Sequence, residues 1–130
     1  MTDQIVPLIL IVEDDDATRE AMKALLERDG YRVVTAADGQ EGIEQLRGGL
    51  EPSLILLDLS MPRMDGFQFR REQVQDSRLA LIPVVVHSAG AAAERGTLAL
   101  GAAAYLEKPV DVERLLALVA QLCNSSALAH

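Results

Sequence analysis

Five short apolar runs, separated by longer amphipathic stretches, constrain this chain more than any other feature. They are Leu8–Glu13, Arg32–Ala36, Leu54–Asp58, Ile82–His87 and Ala103–Leu106. Runs of about five residues suit strands, and their alternation with helix-length segments is the pattern of βαβ units around a parallel sheet. The fold class is therefore α/β, one doubly wound five-stranded parallel sheet. Such a sheet is buried on both faces and needs Leu, Val and Ile more than aromatics. The chain is 49% hydrophobic and only 3% aromatic, with no Trp. Its 130 residues suit a single domain, with a core of about 8–123 and a small-residue tail at 124–130.

The segments between the runs carry helix punctuation. A first helix over Asp16–Arg28 takes Asp15 or Asp16 as its cap, places Ala17, Ala21, Leu25 and Leu26 near one face, and stops at Gly30. A second opens at Asp38, where Asp38-Gly39-Gln40-Glu41 has capping-box spacing, and ends at Gly48-Gly49. The third, Gly66–Gln75, offers Phe67, Phe69 and Val74 as apolar members and leaves Arg70 and Arg71 exposed. The fourth is weak, because Gly90 and Gly96 interrupt an Ala-rich stretch and each costs about 1 kcal/mol relative to Ala, so mobility is expected there. Asp111 caps the fifth, whose inward stripe is Val112, Leu115, Leu116, Val119 and Leu122.

Composition narrows the function classes. A formal charge of −8 argues against direct nucleic-acid binding and favours a cation or a basic partner. Cys123 stands alone, which excludes an internal disulfide and suits a packing role in a reducing compartment. No signal-peptide pattern opens the chain, and no run approaches the roughly 20 apolar residues of a membrane helix. The expectation is a cytoplasmic protein with no membrane partner.

In open α/β sheets ligands bind at the carboxyl ends of the strands. Here those ends carry Glu13-Asp14, Asp58, Ser88 and Lys108. Asp15 and Asp16 are explained by the helix dipole, at about 0.3–1 kcal/mol each. Glu13 and Asp14 precede the helix, and their mutual repulsion calls for a cation. Taken singly, Asp58 reads equally as a turn residue and Lys108 as a surface lysine. Together with the acid pair they offer oxygen ligands to a hard cation that keeps several waters, the way Mg²⁺ is held. His87, as the neighbour of Ser88, is expected to face away from the site, because adjacent strand residues point to opposite faces.

The acid pair, Asp58, the Met-Pro-x-Met-Asp-Gly turn at Met61 to Gly66, the hydroxyl at Ser88 and Lys108-Pro109 together resemble the receiver domain of bacterial two-component response regulators. The resemblance covers about Leu8 to Cys123. It implies a (βα)5 flavodoxin-like fold with strand order 2-1-3-4-5, and Asp58 as phosphoacceptor. It implies Asp14 as a direct Mg²⁺ ligand, Glu13 as one acting largely through water, and Ser60 as the donor of a backbone carbonyl, with Mn²⁺ as the alternative ion. Lys108 is implied to pair with the phosphoryl group through a cis bond to Pro109, with Ser88 and Tyr105 as the switch pair. Three carboxylates balanced by a divalent cation and one lysine leave the loaded site neutral, so an incoming phosphoryl group is not repelled.

The implied partners are a sensor histidine kinase or phosphotransfer protein, and a downstream protein reading the face of helix four, strand five and helix five. The implied activity is self-phosphorylation and slow hydrolysis, not metabolic turnover. The chain departs from the family's pattern in a shorter Ser88–Gly101 segment, in Val110 where an aromatic is common, and in Ser88 where Thr is commoner. Gly90, two past Ser88, gives little cover from water, so a short-lived phosphate is expected. The competing reading is a phosphorylation-independent interaction module on the same fold. A flavodoxin-like cofactor binder is disfavoured by four acids where phosphate needs backbone donors. A haloacid-dehalogenase-type hydrolase would carry a second acid at the place of Ser60.

Overall fold

A computed structural model describes residues 6–61, 64–89 and 91–128. Gly90, His130 and the Pro62-Arg63 step of the Met61–Gly66 turn lie outside the described residues, and with Gly90 the expectation about phosphate lifetime. The strands β1 Leu8–Val12, β2 Arg32–Ala36, β3 Leu54–Asp58, β4 Val84–Ala89 and β5 Ala104–Lys108 form one parallel sheet in the order β2-β1-β3-β4-β5. From β1 the chain moves outward to β2 and then returns to the other side of β1 as β3. The crevice at this reversal lies between the carboxyl ends of β1 and β3, where Glu13 and Asp58 stand.

Three strands differ from the sequence reading, and β1 ends at Val12, one residue short of Glu13. β4 begins at Val84, because Pro83 has no N–H to add to a ladder; only its carbonyl is used, accepting from Ile55 N at 3.0 Å. β5 runs on through Glu107 and Lys108, which pair with Ser88 and Ala89. Charged residues are ordinary on an edge strand, so their polarity concealed the strand's true end.

The helices are α1 Asp16–Arg28, α2 Gly39–Arg47, α3 Gly66–Gln75, α4 Ser77–Ala80, α5 Ala91–Leu100 and α6 Val112–Leu128. The single turn α4 was not foreseen; Asp76 caps it by accepting from Arg78 N at 2.9 Å. The expected fourth and fifth helices are thus α5 and α6, and α6 continues past Cys123 into the stretch read as a tail. Asp15 caps α1, accepting from Thr18 N at 2.8 Å and Thr18 Oγ1 at 2.7 Å. Asp38 caps α2, while Glu41 reaches Ala37 N and not the cap itself. The closed capping box lies instead on α3, between Asp65 and Gln68.

Gly30 and Gly49 end α1 and α2 at φ +98° and +112°, a region that L side chains rarely adopt. In each case the following amide reaches back to close the helix, Tyr31 N to Leu26 O and Leu50 N to Gln45 O, both at 3.1 Å.

Strand alternation divides the core in two. Leu10, Val12, Ile55, Leu57, Val84 and Val86 pack with Ile43, Leu46, Phe69 and Leu79 of α2, α3 and α4. Ile9, Ile11, Leu54, Leu56, Val85 and Leu106 pack on the other face with Met22 and Leu26 of α1 and Leu115, Val119 and Cys123 of α6. Each such side chain contributes roughly 1.5–3 kcal/mol on burial. Val110 packs against this second cluster, and Cys123 is buried within it.

The helix stripes are narrower than predicted. Met22, not Ala17 or Ala21, anchors α1, and Val112 is 42% exposed. On α3, Phe67 and Val74 are exposed and the buried positions are Gly66, Phe69 and Gln73. Gln73 Nε2 donates to Leu79 O at 2.9 Å and Ile82 O at 3.1 Å, which ties α3 to the turn before β4. Arg70, only partly exposed, donates to Leu100 O at 3.0 Å and so joins α3 to the end of α5. Gly96 in α5 is close-packed, since a Cβ there would lie 2.3 Å from Leu59 Cδ1. No helix among the described residues is long and apolar enough to cross a membrane.

Candidate functional site

The alternation that builds the core also builds the site. On the face of α1 and α6, the series Ile9, Ile11 leads to Glu13, Leu54 and Leu56 lead to Asp58, Val85 leads to His87, and Leu106 leads to Lys108. Two-residue periodicity thus delivers four polar side chains to one place where the helices no longer cover the sheet. Glu13 and His87 are fully buried and Asp58 is 2% exposed, whereas Asp14 and Ser60 are exposed at the mouth.

Lys108 Nζ lies 3.0 Å from Glu13 Oε1 and 3.5 Å from Asp58 Oδ1. Glu13 Oε2 accepts from Asp15 N at 2.9 Å, and the Glu13 carbonyl accepts from Arg19 Nη1 at 3.0 Å, so the acidic loop is held from both sides. Asp58 Oδ1 accepts from Ser60 N at 3.2 Å. Burial, and then the Glu13 charge, push the Asp58 carboxyl up to about 7, with Lys108 and the Ser60 amide pulling the other way. The neighbouring Asp14 carboxyl raises it slightly further. For Lys108, burial works against the charge, but the contacts with Glu13 and Asp58 outweigh it and raise its pKa. The peptide bond from Lys108 to Pro109 is cis.

His87 is where the sequence reading fails. It was expected to face away, yet its Nδ1 lies 3.3 Å from Glu13 Oε1. Register is the reason: Asp58 is the partner of His87 in the β3–β4 ladder, so both point to the α1 and α6 side. Counting in twos from Val85, or back from Lys108 across β5, would have found it. Burial, and then the Lys108 charge, lower its pKa to about 3, so the ring is neutral. Ser88 instead lines a cleft on the α5 side with Leu59, Ser60, Arg95 and Gly96. Tyr105, half-buried, pairs with Val86 and packs against the cluster on that same side.

The group has more buried negative charge than Lys108 balances, and Glu13 Oε1 lacks a well-directed hydrogen bond. Carboxylate oxygens of this kind, with Asp14 and Ser60 at the open side, fit a hard divalent cation that keeps part of its water.

The sequence model of the response regulator receiver domain matches residues 9–120. The chain belongs to the response regulator receiver family. This receiver is 41% identical over 118 residues to the DNA-binding dual master transcriptional regulator RpaA of Synechocystis sp., an alignment covering 89% of this chain and 48% of that protein. It is 34% identical over 113 residues to the protein PilH of Pseudomonas aeruginosa, covering 83% and 90% of the two chains. It spans about half the length of the transcriptional regulators it matches.

Among solved structures the receiver is similar to the chemotaxis protein CheY4 of Vibrio cholerae, with a TM-score of 0.80, 28% identity and coverage of 91% and 99%. It is also similar to the receiver domain of the sensor histidine kinase PA1611 of Pseudomonas aeruginosa, with a TM-score of 0.84, 27% identity and coverage of 92% and 99%. That structure holds a magnesium ion coordinated in its active-site cleft.

Proposed function

We propose that this receiver is a phosphoacceptor switch, in which Asp58 takes a phosphoryl group from the phosphohistidine of a sensor histidine kinase or phosphotransfer protein. The observation that carries the reading is the placement of Asp58, 2% exposed at the sheet's reversal point, beside Lys108 at 3.5 Å and next to Glu13 and Asp14. In the transfer an Asp58 carboxylate oxygen bonds to phosphorus, the P–N bond breaks, and its electron pair leaves with the imidazole. Hydrolysis later returns the carboxylate and inorganic phosphate. When bound by Asp14, Asp58 and the Ser60 carbonyl, with Glu13 acting through water, Mg²⁺ or Mn²⁺ supplies the positive charge that keeps Asp58 ionised and offsets the phosphoryl oxygens.

Lys108 is close enough to exchange Glu13 for a phosphoryl oxygen, and Ser88 offers a hydroxyl from the α5 side. A shift of Ser88 toward the phosphate would leave room for Tyr105 to move inward, biasing the α5–β5–α6 face between two states. Leu98 on α5 is 80% exposed and Val112 on α6 is 42% exposed, which gives that face apolar contacts for a downstream protein. A cytoplasmic location is part of this reading.

The test is intact mass after incubation with acetyl phosphate and Mg²⁺. A phosphoryl adduct is expected on the natural chain and is absent from Asp58→Asn. No adduct on either overturns the reading, and equal partner binding by the two would favour the phosphorylation-independent module.

A further inference from the structure

His87 is a buried imidazole that the phosphoacceptor chemistry does not use. It is fully buried, and neither ring nitrogen has a hydrogen-bond partner among the described residues. A buried polar group without a partner costs free energy, so an orphaned imidazole beside two carboxylates that share a single ammonium points to a missing ligand. Glu13, Asp58 and His87 each present a ligand atom, and the three atoms lie within 4.8 Å of one another. We propose that these three residues form an alternative cation seat, sharing Glu13 and Asp58 with the Mg²⁺ site, one that selects a d-block divalent ion such as Zn²⁺, Co²⁺ or Ni²⁺.

The selectivity follows from ligand chemistry. Imidazole nitrogen suits Zn²⁺ and Ni²⁺, whereas Mg²⁺ prefers oxygen and keeps its water. The ligand atoms can close around an ion with bonds of about 2.0–2.2 Å by movements of side-chain scale. Lys108 Nζ now holds Glu13 Oε1, but its side chain is 29% exposed and can swing outward as the ion enters. Occupation of this seat takes up Asp58 and displaces Lys108, so it blocks phosphoryl acceptance. That regulatory consequence rests on the reading of Asp58 as phosphoacceptor; the binding does not.

The chain has two histidines, so a His130→Ala background leaves His87 as the sole imidazole. In that background Zn²⁺, bound directly by the ring, is expected to shift the His87 ring nitrogen resonances far more than Mg²⁺ does. Calorimetry should show zinc affinity falling about tenfold or more in His87→Val and in His87→Leu, with magnesium affinity unchanged. Zinc should also suppress acetyl phosphate labelling in the parent more than in the variants. An imidazole resonance unmoved by Zn²⁺, or equal zinc affinity with and without His87, overturns the seat. If magnesium-dependent labelling persists in those samples, only the seat has failed; if labelling is absent as well, the phosphoacceptor reading has failed with it.

Discussion

Lys108 is bound more closely to Glu13 than to Asp58, at 3.0 Å against 3.5 Å. The lysine is thus held by a buried acid that is not the proposed acceptor, and it balances two carboxylates at once. Lys108→Ala leaves both acids without their ammonium. Removing one member of a buried pair costs about 3–5 kcal/mol, and the partial exposure of Lys108 reduces this to about 1–2 kcal/mol. Denaturant unfolding without metal is expected to show that loss, and Mg²⁺ to recover part of it. The rate of phosphoryl mass gain at saturating Mg²⁺ should fall roughly ten- to a hundredfold, as for loss of one preorganised charge-stabilising donor.

Stability in metal-free buffer carries two opposing pH terms. Asp58, raised from 3.8 to about 7, binds its proton more tightly folded than unfolded, so its contribution is present at low pH and is lost as pH rises through 7. His87, lowered from 6.5 to about 3, stays neutral when folded, so its contribution is present above 6.5 and is lost as pH falls toward 3. The two largely cancel between about pH 4 and 6.5 in the natural chain. Relative to it, Asp58→Asn should gain Tm as pH rises from about 4 to 7, and His87→Val as pH falls below about 6.5. Thermal melts in EDTA across this range check both, and variants that track the natural chain would refute the burial argument.

Gly66 allows the start of α3 to rest on the end of β3. A Cβ at this position would meet Asp58 O and Leu59 Cα, both at 2.9 Å, and these are backbone atoms that cannot rotate away. Gly66→Ala should therefore cost about 1–3 kcal/mol. It should also slow labelling of Asp58 beyond what the lost stability explains, measured well below the variant's Tm.

Gln73 donates to two carbonyls of the turn before β4, Leu79 O and Ile82 O, and accepts from Arg70 Nη1 at 2.9 Å. Gln73→Leu keeps much of the volume and removes the donor. A loss of about 1–3 kcal/mol is expected from the hydrogen bonds removed, with faster amide exchange across Leu79–Ile82 and unchanged metal affinity.

How much of this was legible in the sequence depended on the kind of signal. Apolar runs and glycine stops are local, and they located β2, β3, α1 and α3 to the residue. Glu13 and Asp58 were legible because a charged side chain that closes an apolar run marks where a buried strand meets the rim of the sheet, whereas Lys108 follows Glu107 and stood out only through Lys108-Pro109. Their mutual distances, the position of His87 and the burial of Gln73 depend on the register between strands and the packing between helices, which no single segment encodes. Counted from Ser88, His87 falls on the far face; counted across the ladder from Asp58, it falls among the acids.

Adjacent residues of β4 therefore look into two different surroundings that meet at Ser60, His87 into the acidic pocket and Ser88 into the cleft beneath α5. The strand acts as a partition wall, and its phase decides which room each residue enters. Point substitutions alter what stands in a room, but inserting or deleting one residue between Pro83 and His87 would exchange the occupants, putting the hydroxyl among the carboxylates and the imidazole under the helix. This short stretch can thus vary in content far more readily than in length.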